Sequence, residues 1–303
     1  MARKNKYNKP INSFAALALA VSIVLFGIGA IMAVNSCSPS DEPDSIVSDD
    51  DVDSSSGGNQ GAEDSSGDST AKHYAALETV SLPDGLPSQI KEYIGFTVSF
   101  NKENKTPNYV AWELLGKEAT GDQQRTDKFW QDTDIDGCPT TYDYTRSGYD
   151  RGHMCPAADQ KWSYEAMNDC FVMANICPQI HELNAGAWQT LETKERQWAQ
   201  RDSAIMIVAG PIYDIADTKT IGDAKVRVPG AFFKVILAPY VEEPRGIAFV
   251  YPNMTSPGDM QDYAMSIDEL EKTLGYDFFP ALPDDLENKV ESVFSFKEWN
   301  SSK

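Results

Sequence analysis

Histidine, positive charge and closely paired cysteines are all scarce in this chain. Only three histidines occur among 303 residues, which excludes a His-rich metal cage and makes each imidazole worth locating. Lys and Arg number 26 against 46 Asp and Glu, a formal charge of −20. A protein held on nucleic acid by bulk electrostatics is therefore excluded. None of the five cysteines forms a C-x-x-C pair, and Cys170 with Cys177 is too widely spaced for a zinc knuckle. No internal repeat is present. Apolar content, by contrast, is 41%, enough for a real core and incompatible with wholesale disorder.

The charge is unevenly placed and divides the chain into three parts. Residues 1–37 carry Arg3, Lys4, Lys6 and Lys9 with no acid, and residues 14–34 carry no charge at all. At about 1.5 Å per residue such a helix crosses a hydrocarbon core of roughly 30 Å. The flanking bases predict a cytoplasmic N-terminus with the rest exported. Three outcomes stay open for this segment: a cleaved signal peptide, an uncleaved anchor, or a lipoprotein signal. Val34-Asn35-Ser36-Cys37 resembles a bacterial lipoprotein box, with Cys37 as the lipidation site, and this outcome is preferred. The expected location is the exported side of a bacterial cell envelope, with the N-terminal segment as membrane partner. Residues 38–72 are rich in Ser, Asp and Gly with almost nothing to bury, and read as an acidic, disordered tether. Asp49–Asp53 lacks the alternating ligands, central Gly and terminal Glu of a calcium loop.

Residues 73–303 read as one domain. In an exported protein its four cysteines, Cys138, Cys155, Cys170 and Cys177, predict up to two disulfides, with three possible connectivities. Apolar runs predict strands at 97–100, 109–114, 171–175, 205–210, 232–238 and 247–251. Helices are expected at 184–201 and 266–274, the second opening with capping-box spacing between Ser266 and Glu269. Strands grouped at both ends around a helix imply an α+β fold with a largely antiparallel sheet.

Two stretches carry the chemistry. In Tyr149-Asp150-Arg151-Gly152-His153-Met154-Cys155-Pro156-Ala157-Ala158-Asp159, an Arg and a His separated by Gly could place cation and imidazole at one anionic atom. The second runs from Asn175-Ile176-Cys177-Pro178-Gln179 to Asn184-Ala185-Gly186-Ala187-Trp188-Gln189-Thr190-Leu191-Glu192. On a regular helix Asn184, Trp188 and Glu192 fall within roughly 80° of arc, with Arg196 one turn further. Taken separately, each has an ordinary explanation: a surface Asp–Arg loop, and an amphipathic helix with Trp188 and Leu191 in the core.

Together the stretches resemble the DNA/RNA non-specific endonucleases, the ββα-metal nucleases with a DRGH signature that include the endonuclease G relatives. The resemblance begins at Tyr109-Val110-Ala111-Trp112-Glu113-Leu114 and includes Arg125-Thr126-Asp127-Lys128-Phe129-Trp130. It passes through both stretches and ends at Ser266-Ile267-Asp268-Glu269-Leu270-Glu271 and Phe278-Phe279-Pro280. It implies a ββα-metal nuclease fold, with helices flanking a largely antiparallel central sheet. It also implies hydrolysis of DNA and RNA to 5′-phosphate ends, through phosphate contacts without sequence specificity. His153 would be general base, and Asn184 the protein ligand of one Mg2+, for which Mn2+ could substitute. Arg125 would neutralise charge in the transition state, Arg151 and Arg196 would bind or assist at the phosphate, and Glu192 would orient a water. Asp150 and Asn175 would be scaffolding. His181 is read as an exposed polar residue, and His73 as inert. Two departures stand out: Cys155 and Cys177 flank the site where relatives carry small uncharged residues, and the net charge opposes a polyanionic substrate. A catalytically silent nucleic-acid-binding module and a toxin nuclease are the competing readings.

Overall fold

The computed structural model describes residues 76–213, 218–256 and 258–301. The expected signal segment with Cys37, the tether and His73 lie outside these residues. The strands in chain order are β1 (Val80–Ser81), β2 (Gln89–Glu92), β3 (Thr97–Asn101), β4 (Thr106–Leu115), β5 (Asp150–His153), β6 (Ile176–Gln179), β7 (Ala204–Ile212), β8 (Thr220–Ile221), β9 (Val226–Arg227), β10 (Ala231–Ala238), β11 (Arg245–Pro252), β12 (Ala264–Met265) and β13 (Asp277–Phe278). The α-helices are α1 (Tyr164–Asp169), α2 (Gln189–Asp202), α3 (Ile267–Leu274), α4 (Asp284–Ser292) and α5 (Phe296–Asn300).

A seven-stranded sheet, ordered β12-β11-β10-β7-β4-β3-β2, forms the centre, and every neighbouring pair in it is antiparallel. Its middle strands are covered on both faces, which is why β10 is buried at all eight positions. The two-residue period of a strand sends Phe232, Ile236 and Ala238 into one core and Phe233, Val235 and Leu237 into the other. Helix α2 caps the first core through Leu191, Trp198 and Ala199. Helices α3 and α4 cap the second through Ile267, Leu270 and Val290. The α+β fold with a largely antiparallel sheet is thus the one expected.

The expected strands at 97–100, 109–114, 205–210, 232–238 and 247–251 are present with slightly wider limits as β3, β4, β7, β10 and β11. Helix α3 begins where its cap placed it: Glu269 N donates to Ser266 Oγ at 3.3 Å and Ser266 N to Glu269 Oε2 at 3.1 Å. It ends at Gly275, whose φ of +73° suits glycine.

Three expectations need correction. The apolar stretch 171–175 is not a strand; Met173–Asn175 is a 3-10 turn, and the strand begins one residue later at Ile176. Asn175 imposes that turn by spending its amide on the backbone of Cys155 and Cys170. The helix expected from 184 opens instead with a π-helical turn, Leu183–Trp188, broken by non-helical angles at Gly186, and α2 proper starts at Gln189. No disulfide forms among the described residues: Cys138, Cys155, Cys170 and Cys177 are free and buried. Each acts as a small core filler with a local partner where one is needed. Cys170 Sγ donates to the Met167 carbonyl at 3.1 Å, and Cys155 Sγ accepts from Gln160 Nε2 at 3.2 Å. Burial pushes all four thiols above their usual range, Cys138 to about 11.

Candidate active site

Strands β5 and β6 pair as an antiparallel ribbon outside the main sheet, with Asp150 opposite Gln179, Gly152 opposite Cys177 and His153 opposite Ile176. The DRGH segment is therefore a strand, where the sequence suggested a loop. Alternation puts Arg151 and His153 on one face of it and Asp150 and Gly152 on the other. Gly152 is required by close approach: a Cβ there would stand 2.6 Å from Cβ of the fully buried Gln179 and 2.2 Å from its Oε1.

Phe129 and Phe171 line the face that carries His153. Their ring centroids lie 5.4 and 5.1 Å from the imidazole, and 5.0 Å from each other. The Arg151 guanidinium sits 5.3 Å from the Phe129 centroid, and that of Arg125 sits 4.9 Å from Phe171. Two arginines and the imidazole thus share one aromatic floor. Arg125 also pairs with Asp127, and Arg151 donates to the Thr141 carbonyl at 2.8 Å. His153 Nε2 is buried without a hydrogen-bond partner. Burial first, and the Arg125 charge second, lower its pKa to about 3, so the imidazole is neutral at physiological pH.

The loop that follows His153 is pinned from below. Asn175 Oδ1 accepts from Cys155 N at 2.9 Å, and its Nδ2 donates to the carbonyls of Cys155 at 2.9 Å and Cys170 at 2.8 Å. Met154 N donates to the Asn175 carbonyl at 3.0 Å. Both polar atoms of this buried amide go into holding that backbone.

On the other face of β5, Asp150 Oδ2 accepts from Asn184 Nδ2 at 2.9 Å and from His181 Nδ1 at 2.8 Å. His181 is exposed as expected, and its hydrogen bond to Asp150 raises its pKa. The bond to Asp150 fixes which way the Asn184 amide faces and leaves its Oδ1 without a protein partner among the described residues. The carboxylate of Glu192, one helical turn into α2, likewise has no hydrogen-bond partner among the described residues. Burial pushes its carboxyl up to about 8, opposed in part by Lys234. Two oxygen donors left unpaired in this way fit a hard divalent cation, the kind of ion that takes oxygen ligands and keeps waters for an incoming phosphate.

Beneath Glu192 lies a charged cluster. Lys234 Nζ, fully buried, donates to Glu195 Oε2 at 3.0 Å and stands 4.5 Å from the Trp188 ring centroid. Asp159, also fully buried, accepts from Arg196 at 3.0 Å and from Trp112 Nε1 at 3.2 Å. The structure therefore places the sequence-selected residues in three groups. Arg125, Arg151 and His153 meet on the phenylalanines, Asp150 and Asn184 on the opposite face of the same strand. Glu192 and Arg196 stand on α2, with Arg196 engaged by Asp159. The residues missed were Phe129, Phe171, Asp159, Glu195 and Lys234. Lys234 carried a usable signal, being the lone charge in the apolar strand Ala231–Ala238.

Comparison with known proteins agrees with this geometry. A family model described as DNA/RNA non-specific endonuclease matches residues 73–285. The chain is 35% identical over 218 residues to the zebrafish nuclease EXOG, mitochondrial, covering 65% of this chain and 64% of that protein. It is 32% identical over 214 residues to the mitochondrial nuclease of Saccharomyces cerevisiae, covering 62% and 64%. The chain thus spans slightly less than two thirds of either relative. A solved structure of the EndoG/EndoGI complex aligns with a TM-score of 0.62 at 24% identity, over 68% of this chain and 91% of that one, and shares the fold. The expected bacterial cell-envelope location is overturned by these relatives, which are named mitochondrial. No helix among the described residues is long and apolar enough to cross a membrane; residues 14–34 lie outside them. With the family model matching most of the chain and its signature on a ββα frame, this chain belongs to the DNA/RNA non-specific endonuclease family, a family of metal-dependent nucleases.

Proposed function

We propose that this chain hydrolyses phosphodiester bonds of DNA and RNA without sequence preference, through residues 73–303 acting as one domain behind the acidic 38–72 stretch. The observation that carries this reading is the neutral, buried imidazole of His153, set beside two arginines on one face of a strand whose other face orients Asn184. His153 takes a proton from the attacking water, for which it must be unprotonated. Arg125 and Arg151 meet the phosphate oxygens and offset the charge that builds on them. Asn184, with Glu192 acting through a water, would hold one Mg2+, with Mn2+ able to replace it; that ion supplies positive charge at the scissile phosphate. Glu192 orients the water that protonates the leaving 3′-oxygen, so the products carry 5′-phosphates. Arg196, tied to Asp159, is a second phosphate contact at the edge of the site. The contacts run to phosphates and not to base edges, which predicts sequence-indifferent, salt-sensitive binding.

The test is digestion of plasmid DNA and of total RNA, each with Mg2+ and with EDTA, beside His153→Ala and Asn184→Ala. Cleavage of both polymers is expected, abolished by EDTA and lowered by about 10²–10⁴-fold in His153→Ala. Undiminished cleavage by folded His153→Ala would overturn the assignment. A folded wild-type protein that binds but cuts neither polymer would move the reading to a binding module.

A further inference from the structure

On the face of the sheet opposite α2, helices α3 and α4 bring three carboxylates together. One oxygen each from Asp268, Glu271 and Glu291 lies within 4.8 Å of the others. Three observations set this cluster apart from an ordinary acidic surface. Glu291 is only 4% exposed, and its Oε1 is buried without a hydrogen-bond partner. Glu271 Oε1 accepts from Phe278 N at 2.7 Å, which fixes the orientation of its carboxylate. No Lys or Arg forms an ion pair with any of the three among the described residues; Lys289, two positions before Glu291, turns away to Glu243 at 2.6 Å.

A carboxylate buried among carboxylates is costly unless a cation or a proton compensates it. The groups acting most strongly on Glu291, after burial itself, are all acids: Glu271, Glu287, Asp268 and Asp277. Packing does not explain why an acid stands here, because its neighbour Val290 already supplies the apolar contact to the core. We infer that Asp268, Glu271 and Glu291 form a second, non-catalytic cation site that takes Ca2+ and ties α3 to α4. Ca2+ accepts six to eight oxygens in irregular geometry at roughly 2.3–2.6 Å, so oxygens on opposite sides of one ion stand about 5 Å apart. Three carboxylates from two helices, completed by water, meet that demand more readily than the strict octahedron of Mg2+. The exposed Asp268 gives the ion its way in from solvent. The site stands apart from His153 and Asn184, with the whole sheet between.

Calcium titration of the full-length chain tests this by calorimetry and by thermal unfolding. It is run in an Asn184→Ala background, so that the proposed nuclease centre does not contribute and failure of the nuclease reading leaves the result intact. One equivalent of Ca2+ that raises the Tm is expected. Asp268→Asn, at an exposed position that should not disturb folding, is expected to weaken that binding at least tenfold, and Glu291→Gln to remove it. Neither substitution should change DNA cleavage when placed in the otherwise unaltered chain. The inference is overturned if no calcium-dependent heat or Tm shift appears up to about 10 mM Ca2+, above the range of weak extracellular calcium modules. It is equally overturned if Asp268→Asn binds as tightly as its parent, since the ion then sits elsewhere, for example on the acidic 38–70 stretch. Should Glu291→Gln fail to fold, Asp268→Asn decides alone.

Discussion

At His153 the surroundings hold a side chain far from its free behaviour. Free imidazole titrates near 6.5, whereas burial and Arg125 hold this one neutral down to about 3. Between those values the unfolded chain binds a proton that the folded chain refuses, so the folded state loses stability as pH falls from about 6.5 toward 3. Replacing His153 by Gln removes that penalty. Urea unfolding in EDTA at pH 4, 5 and 6 should give the His153→Gln variant a shallower loss of stability on acidification, by up to about 1.4 kcal/mol per pH unit. Parallel profiles for the two proteins would mean that the imidazole is protonated in the folded state. The closeness of Arg151 to His153, and of Asn184 to Glu192 and Arg196, was legible because each group is local in sequence, whereas Arg125 was singled out only by resemblance to the family. Phe129, Phe171 and Asp159 were not: their importance comes from what they touch in space, across separations of tens of residues.

At the scale of elements, the site depends on how closely β5 and β6 approach. Long strands of the central sheet could be read from sequence because their residues are apolar over long runs: β7 throughout, and β10 everywhere but Lys234. Strand β5 could not, since Asp150-Arg151-Gly152-His153 is short, polar and without periodicity, and only its partner β6 makes it a strand. The π-helical turn before α2 was equally invisible, because Asn184, Trp188 and Glu192 satisfy an ordinary helical period. The ribbon's narrowest point is Gly152. An Ala there must displace Gln179, which is fully buried and would be met at its own Cβ as well as at its amide. Gly152→Ala is therefore expected to cost about 1–3 kcal/mol in denaturant unfolding. It should also lower kcat much more than KM for DNA, because it moves Arg151 and His153 off the phenylalanine floor. Wild-type kcat in a variant of normal stability would show that Gln179 has room to yield and that the ribbon is not a precise support.

For the molecule as a whole, the question is how a chain of net charge −20 engages a polyanion. Two of the site's three arginines are already neutralised by an acid: Arg125 pairs with Asp127, and Arg196 with Asp159, while Arg151 meets only the Thr141 carbonyl. Long-range attraction is therefore weak, and short-range contacts must supply the affinity. Half of the opposing net charge belongs to 38–70, which holds ten acids and no base, and whose boundary with the domain was drawn from composition alone. If those acids repel incoming nucleic acid, changing all ten to Asn or Gln in the full-length chain should raise kcat/KM for DNA severalfold at low ionic strength. The gain should fall away with added salt, because at 0.15 M the Debye length is only about 8 Å and distant charges no longer reach the substrate. The kcat at saturating DNA should stay the same, since no group at His153 or Asn184 is altered. A gain that persists unchanged at 0.5 M salt would instead place the acidic stretch in direct contact with the site, where it would compete with phosphate for Arg125 and Arg151. Equal kcat/KM at every salt concentration would show that the field of 38–70 does not reach the substrate, leaving the acids of the folded domain as the source of the repulsion.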